Sequence, residues 1–344
     1  MTRSVRLISA AALLFSGVYG LGQTAPVATP PAQQTAPQQP VQAPPQEAPG
    51  ATGLSARPQG QDQPFQLTVR ANLVSLVFTV TDKKGRFVKD LHLSDFGLLD
   101  NGLQPEKVLD FKQQTDLPLR VGIMLDTSSS IRTRFKFEQD SAIDFFLSVM
   151  HQNDRAFVEG FDVQTYLPQD YTNNIDLLDQ GIRKLRPGGG TALFDSLYKT
   201  CRDQMLALQA DNEVRKALIL VSDGDDNYSR ASMTDAIKMC QRADTIVYTI
   251  STDTSPTRGK GGAVLESISG ATGGRTFFPI KLEDVAIGFK NIEIELRSQY
   301  LLQYRPAEFT QDGKFRTILL RGANRAKDLT VRARTGYFAP RPPQ

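Results

Sequence analysis

The chain has 344 residues, a formal net charge of +3, 40% hydrophobic residues and 22% charged ones. That is enough apolar material for a sizeable core, and too much length for one ordinary domain. The near balance of charge, and the lack of any basic run interleaved with aromatics, argue against a nucleic-acid partner.

Arg3 and Arg6 precede an apolar stretch, 7–18, that is too short to span a bilayer. With Gly20 and Gly22 before Gln23 this reads as a secretory signal over 1–22, so we expect export to a periplasm or the cell exterior. No later stretch is long and apolar enough to cross a membrane. Residues 23–64 are rich in Pro, Gln, Ala and Thr, the composition of a disordered linker.

Residues 65–116 read as β structure. Leu76, Phe78 and Val80 alternate with Val77 and Thr79, and Lys83-Lys84-Gly85-Arg86 reads as a turn. Asp100-Asn101-Gly102 predicts a hairpin, with Val108, Leu109 and Phe111 on the returning strand. From 117 the pattern alternates: strands at 119–125, 156–161, 165–167, 218–221, 245–250 and 275–278, and helices around 142–149 and at 175–185, 192–208, 233–243, 264–271 and 282–296. Such alternation predicts an α/β domain, 117–297, built on a doubly wound, mostly parallel sheet flanked by helices. Strands return at 300–304, 315–320 and 329–333, with Arg332 and Arg334 on what reads as a solvated strand face. Neither terminal β region is large enough to stand alone. The expectation is one small β-sandwich made of 65–116 and 298–340, with the α/β domain inserted into it.

The chemistry concentrates at the ends of two apolar strands. Val121-Gly-Ile-Met-Leu-Asp126 runs into Thr-Ser128-Ser-Ser130, and Lys216-Ala-Leu-Ile-Leu-Val-Ser-Asp223 ends on a second aspartate. Between them, Gly188-Gly189-Gly190-Thr191 delivers a hydroxyl just before a helix. The C-terminal edge of a parallel sheet is where α/β folds place ligands. Asp126, Ser128, Ser130, Thr191 and Asp223 are hard oxygen donors, suited to Mg²⁺, with Mn²⁺ and Ca²⁺ as alternatives. Asp225 and Asp226 follow closely and read either as tuning groups or as a polar loop capping the next helix.

This set resembles the metal-ion-dependent adhesion site of von Willebrand factor type A (VWA) domains, over roughly 117–297. The flanks resemble the bacterial VWFA-related proteins: Val80-Thr81-Asp82, Asp95-Phe96, Asp100-Asn101-Gly102, Leu296-Arg297-Ser298-Gln299-Tyr300, Tyr304-Arg305-Pro306 and Arg334-Thr335-Gly336-Tyr337-Phe338. The resemblance implies that Ser128, Ser130 and Thr191 hold the ion through hydroxyls, with Asp126 and Asp223 acting mainly through water. A protein partner presenting Asp or Glu would then complete the coordination. Ser129 stands where that family frequently has Gly. The leading expectation is therefore an exported, non-catalytic, metal-dependent adhesion module. The alternatives are a metal-assisted hydrolase, which would need a nucleophile or base that His92 and His151 do not supply locally, and an envelope scaffold with a vestigial metal site. The two cysteines, Cys201 and Cys240, fall on apolar helix faces; buried free thiols are the default expectation and a disulfide the alternative.

Overall fold

The structure, a computed structural model, describes residues 73–114, 117–208, 214–253, 259–281 and 283–341. The signal, the linker and the first residues of the expected β region lie outside the described residues, as does Leu282.

The N-terminal part supplies three strands, β1 (Val74–Thr81), β2 (Phe96–Asp100) and β3 (Lys107–Gln114). The α/β part then runs β4 (Leu119–Asp126), α1 (Phe135–Val149), β5 (Arg155–Phe161), β6 (Thr165–Thr172), α2 (Ile175–Lys184), α3 (Leu193–Thr200), β7 (Arg215–Ser222), α4 (Met233–Arg242), β8 (Thr245–Ser251), α5 (Lys260–Thr272), β9 (Thr276–Phe277) and α6 (Asp284–Leu296). Four strands close the chain: β10 (Gln299–Arg305), β11 (Phe315–Gly322), β12 (Thr330–Ala333) and β13 (Gly336–Phe338).

The central sheet has the order β6-β5-β4-β7-β8-β9. All its pairings are parallel except that of β5 with β6. Both faces are covered, which is why its central strands are continuous apolar runs rather than alternating ones. Val121, Ile123 and Leu125 face Phe145, Phe146, Ile182, Phe289 and Ile292 on one side. Met124, Leu218 and Leu220 face Leu193, Leu197, Ala236, Leu265 and Ile268 on the other. The chain leaves β4 for β5 on one side and returns to β7 on the other, so the strand order reverses beside β4. A crevice opens at the carboxyl ends of strands at such a reversal.

The β strands at the two ends of the chain combine as expected. One sheet has the order β12-β1-β10-β3 and the other β13-β11-β2, so each mixes strands from both ends of the sequence. Their facing sides share one core containing Leu76, Phe78, Val80, Leu302, Tyr304, Ile318 and Tyr337. Phe78, Phe96, Phe111 and Tyr300 form an aromatic cluster within it, with ring centres 5.1–6.3 Å apart.

Four readings of the sequence are corrected. The Asn-Gly turn forms, with Asn101 and Gly102 at φ 51° and 86°, but it closes only an Asp100–Leu103 bridge. β3 then crosses to the other sheet and pairs with β10, while β2 pairs with β11. A local turn signal fixes a reversal, whereas the partner strand is chosen by which apolar face finds a core. The helix expected over 192–208 is interrupted: α3 ends at Thr200 and residues Cys201–Leu206 continue as a π-helix. Within that turn Cys201 is bonded to Cys240 of α4, so the cysteines form a buried disulfide rather than free thiols. Finally, Arg332 and Arg334 are not on a solvated face. Arg332 donates to Thr81 Oγ1 at 3.2 Å, and Arg334 donates to the Ser75 carbonyl at 2.7 Å and pairs with Asp244.

Candidate functional site

The polar cluster gathers at the carboxyl edge of β4 and β7. β4 delivers Asp126 as its last residue; β7 ends one residue before Asp223. Asp126 is fully buried. Its Oδ1 accepts the Ser128 backbone N–H at 2.8 Å, which turns the loop sharply after the strand. Its Oδ2 accepts the Ser222 hydroxyl at 2.7 Å. Burial nevertheless dominates and pushes the Asp126 carboxyl up to about 6, against the opposing pull of Ser222 and Ser128.

Ser128 and Ser130 hydroxyls lie 2.9 Å apart, and Ser130 Oγ donates to Asp223 Oδ2 at 3.0 Å. Asp126, Ser128, Ser130 and Asp223 are thus brought together, with Ser222 as a fifth member. Thr191 sits at the same edge but its hydrogen bonds run elsewhere. Its N–H donates to Asn227 Oδ1 at 2.9 Å, and its carbonyl accepts from the N–H groups of Asn227 and Tyr228 at 3.0 Å. The glycine loop is docked on the first loop through Gly188 N–H to the Thr127 carbonyl at 2.6 Å and Ser129 N–H to the Gly189 carbonyl at 3.2 Å. At Gly190 the Tyr228 ring lies close over the backbone, so a Cβ there, 2.2 Å from that ring, would displace it. The Tyr228 ring is itself 64% exposed, on the rim of the cluster.

The expected divalent cation, and with it the metal-dependent carboxylate-binding function, is overturned. Among the described residues no group of three or more His, Cys, Asp or Glu side chains could hold a metal ion. The physical reason lies in how the donors are used. Only Asp126 and Asp223 bring charge within the five expected ligands. Both oxygens of Asp126 are engaged by Ser128 and Ser222, and Asp223 accepts from Ser130. These hydrogen bonds close the set on itself, and its two carboxylates fall short of a group of three such side chains.

The sequence reading missed two participants. Ser222 carried no signal beyond its place before Asp223. Glu138 was legible in principle, because it shares the helical stripe of Phe135, Ala142, Phe145 and Val149, all buried. Glu138 is fully buried and neither carboxyl oxygen has a hydrogen-bond partner among the described residues. Burial first, with Asp126 and Asp223 adding repulsion, pushes its carboxyl up to about 8 against the pull of Arg134. Asp225 is raised, again mainly by burial, then by Asp223 and Asp253. Asp226 accepts from Ser229 Oγ at 2.6 Å and from Phe194 N–H at 3.4 Å, so it serves the start of α3 rather than α4, whose cap is Ser232.

No protein-family description and no curated protein matches the chain. Solved structures do resemble it. The PilB minor pilin from Streptococcus sanguinis is 16% identical over 54% of this chain, with a TM-score of 0.42. Proximal thread matrix protein 1 from the mussel byssus is 17% identical over 57%, with a TM-score of 0.44. The vWF domain of the type V pili tip protein Mfa5 from Porphyromonas gingivalis is 17% identical over 52%, with a TM-score of 0.42. The chain spans 62% of the pilin, 49% of the byssal protein and 94% of the Mfa5 domain. The architecture described above is an α/β sheet carried on a β-sandwich built from both ends of the chain.

Proposed function

We propose that the chain is an exported, non-catalytic scaffold of VWA type, akin to the bacterial VWFA-related proteins, in which the adhesion-site residues survive as a metal-free polar latch. The observation that carries this reading is the closure of the cluster on itself: Ser222 on Asp126, Ser128 on Ser130, and Ser130 on Asp223. These bonds tie the ends of β4 and β7 to the loops that follow them. Such a role needs no ion. Catalysis finds no support, since the Ser128 and Ser130 hydroxyls have one another and Asp223 as hydrogen-bond neighbours, with no histidine or thiolate among the described residues bonded to either.

Export is supported by the signal-like N-terminus and by the Cys201–Cys240 disulfide, a bond that persists in oxidising compartments. Among the described residues no helix is long and apolar enough to cross a membrane. Kinship with the VWFA-related group is supported by the flanking motifs, which supply the sandwich strands. The test is thermal unfolding of the purified protein in millimolar Mg²⁺, Mn²⁺ or Ca²⁺ against chelator. An unchanged melting temperature is expected. A saturable rise that disappears in Asp126→Ala would overturn the latch reading, because preferential binding to the native state must raise stability.

A further inference from the structure

A buried polar set crosses the seam between the sandwich and the α/β domain. Glu295, in the last turn of α6, is fully buried. Its Oε1 accepts from Thr79 Oγ1 of β1 at 3.2 Å, and its Oε2 lies 2.9 Å from Arg275 Nε, just before β9. The Arg275 guanidinium lies 4.4 Å from the ring centre of Phe277 and 5.9 Å from that of Phe87. Thr79 and Phe87 belong to the sandwich; Glu295, Arg275 and Phe277 belong to the α/β domain. Arg332 of β12, half-buried, adds a second positive charge acting on Glu295 from the sandwich side.

The neighbouring chain is pinned as well. Arg215 donates to the carbonyls of Leu117 and Leu296, on either side of the α/β domain's ends. Arg297 donates to the Val149 carbonyl and pairs with Asp154 at 2.9 Å, while Asp154 Oδ1 accepts the Leu119 N–H at 2.7 Å. The end of α6, the entry to β10 and the entry to β4 are thereby held at one point.

Buried ion pairs are weak sources of stability, since apolar side chains of the same shape do as well. They demand particular geometry, however, and removing one partner leaves the other charge stranded. An apolar seam would tolerate sliding, because its contacts are non-directional. We infer that Glu295 is a positioning residue that fixes the β-sandwich and the α/β domain as a single rigid body, by joining the last turn of α6 to β1 and to Arg275 across the seam. Displacement of α6 along its axis is then blocked while these contacts hold. The inference is independent of whether the polar latch binds anything.

The experiment uses the full chain with spin labels at Lys184→Cys and Lys327→Cys, two exposed positions in the two domains. The native cysteines are bonded to each other and do not react. The unaltered seam should give one narrow distance distribution. Glu295→Gln and, separately, Arg275→Gln should broaden it at least twofold. Both should also speed hydrogen exchange at least tenfold in β1 and β12 while β4 and β7 keep their protection. That domain-selective pattern is one that general loss of stability would not produce. Unchanged distributions in both variants would overturn the inference, and so would an equal loss of protection across all four strands.

Discussion

Glu138→Gln tests the electrostatics beneath the latch. In the native state this carboxyl is held protonated up to about 8, against an ordinary value of 4.5, chiefly by burial. The folded chain therefore keeps a proton that the unfolded chain has lost between those two values. Stability must fall as pH rises through that window and level off above about 8. At ~1.4 kcal/mol per pKa unit, the shift amounts to roughly 5 kcal/mol in full. Glutamine has the same shape and no charge, so the variant lacks this slope. Urea unfolding at pH 5, 7 and 9 reads the effect directly. The variant should be equal to the parent or weaker at pH 5 and gain on it progressively, reaching an advantage of several kcal/mol at pH 9. Asp126 titrates inside the same window and its charge repels that of Glu138, so the difference between the two curves reports the coupled pair. Parallel curves for parent and variant would refute the reasoning, because they would mean that Glu138 is ionised or solvated in the folded state.

Cys201→Ala with Cys240→Ala removes a link between residues 39 apart, and the chain-entropy relation gives a loss of roughly 4 kcal/mol, checked by denaturant titration against the oxidised parent. Ser222→Ala leaves Asp126 Oδ2, in a fully buried side chain, without its hydroxyl donor; about 1–3 kcal/mol of stability should be lost, read as a lower urea midpoint at constant slope. Deleting residues 299–344 removes β10 and β12, the two strands that flank β1; β1 amides should then exchange as freely as an unfolded peptide, and retained protection would mean that the N-terminal strands stand alone.

The alternation of apolar runs with amphipathic stretches is a local property, and it located the strands of the central sheet to within a few residues. Leu119–Asp126 and Arg215–Ser222 could be read because a strand buried on both faces must be apolar throughout. The need for a joint sandwich was also legible, since too few strands sit at either end to bury a face. Of the five residues expected at the sheet's edge, Asp126, Ser128, Ser130 and Asp223 are brought together by hydrogen bonds, while those of Thr191 run to Asn227 and Tyr228 and Ser222 joins unforeseen. What those residues do once together was not legible. Residue type announces an oxygen donor, but not whether its lone pairs face a cation or a neighbouring hydroxyl.

Pairings that depend on distant contacts were decided only in three dimensions. Asn101-Gly102 dictated a reversal locally, because few other residues accept positive φ at both positions. The destination of β3 beside β10 came from packing Phe111 against Phe78 and Tyr300. The alternation of Arg332 and Arg334 looked like a wet strand face until the α/β domain was seen to lie against it, with Asp244 and Glu295 supplying charge. Glu138 shows the same division. Its heptad-like spacing puts it inside the domain, a consequence of 3.6 residues per turn. Its protonation follows first from the burial that packing imposes and then from the charges of Asp126, at the end of β4, and Asp223, just beyond β7, and no local pattern carries that information.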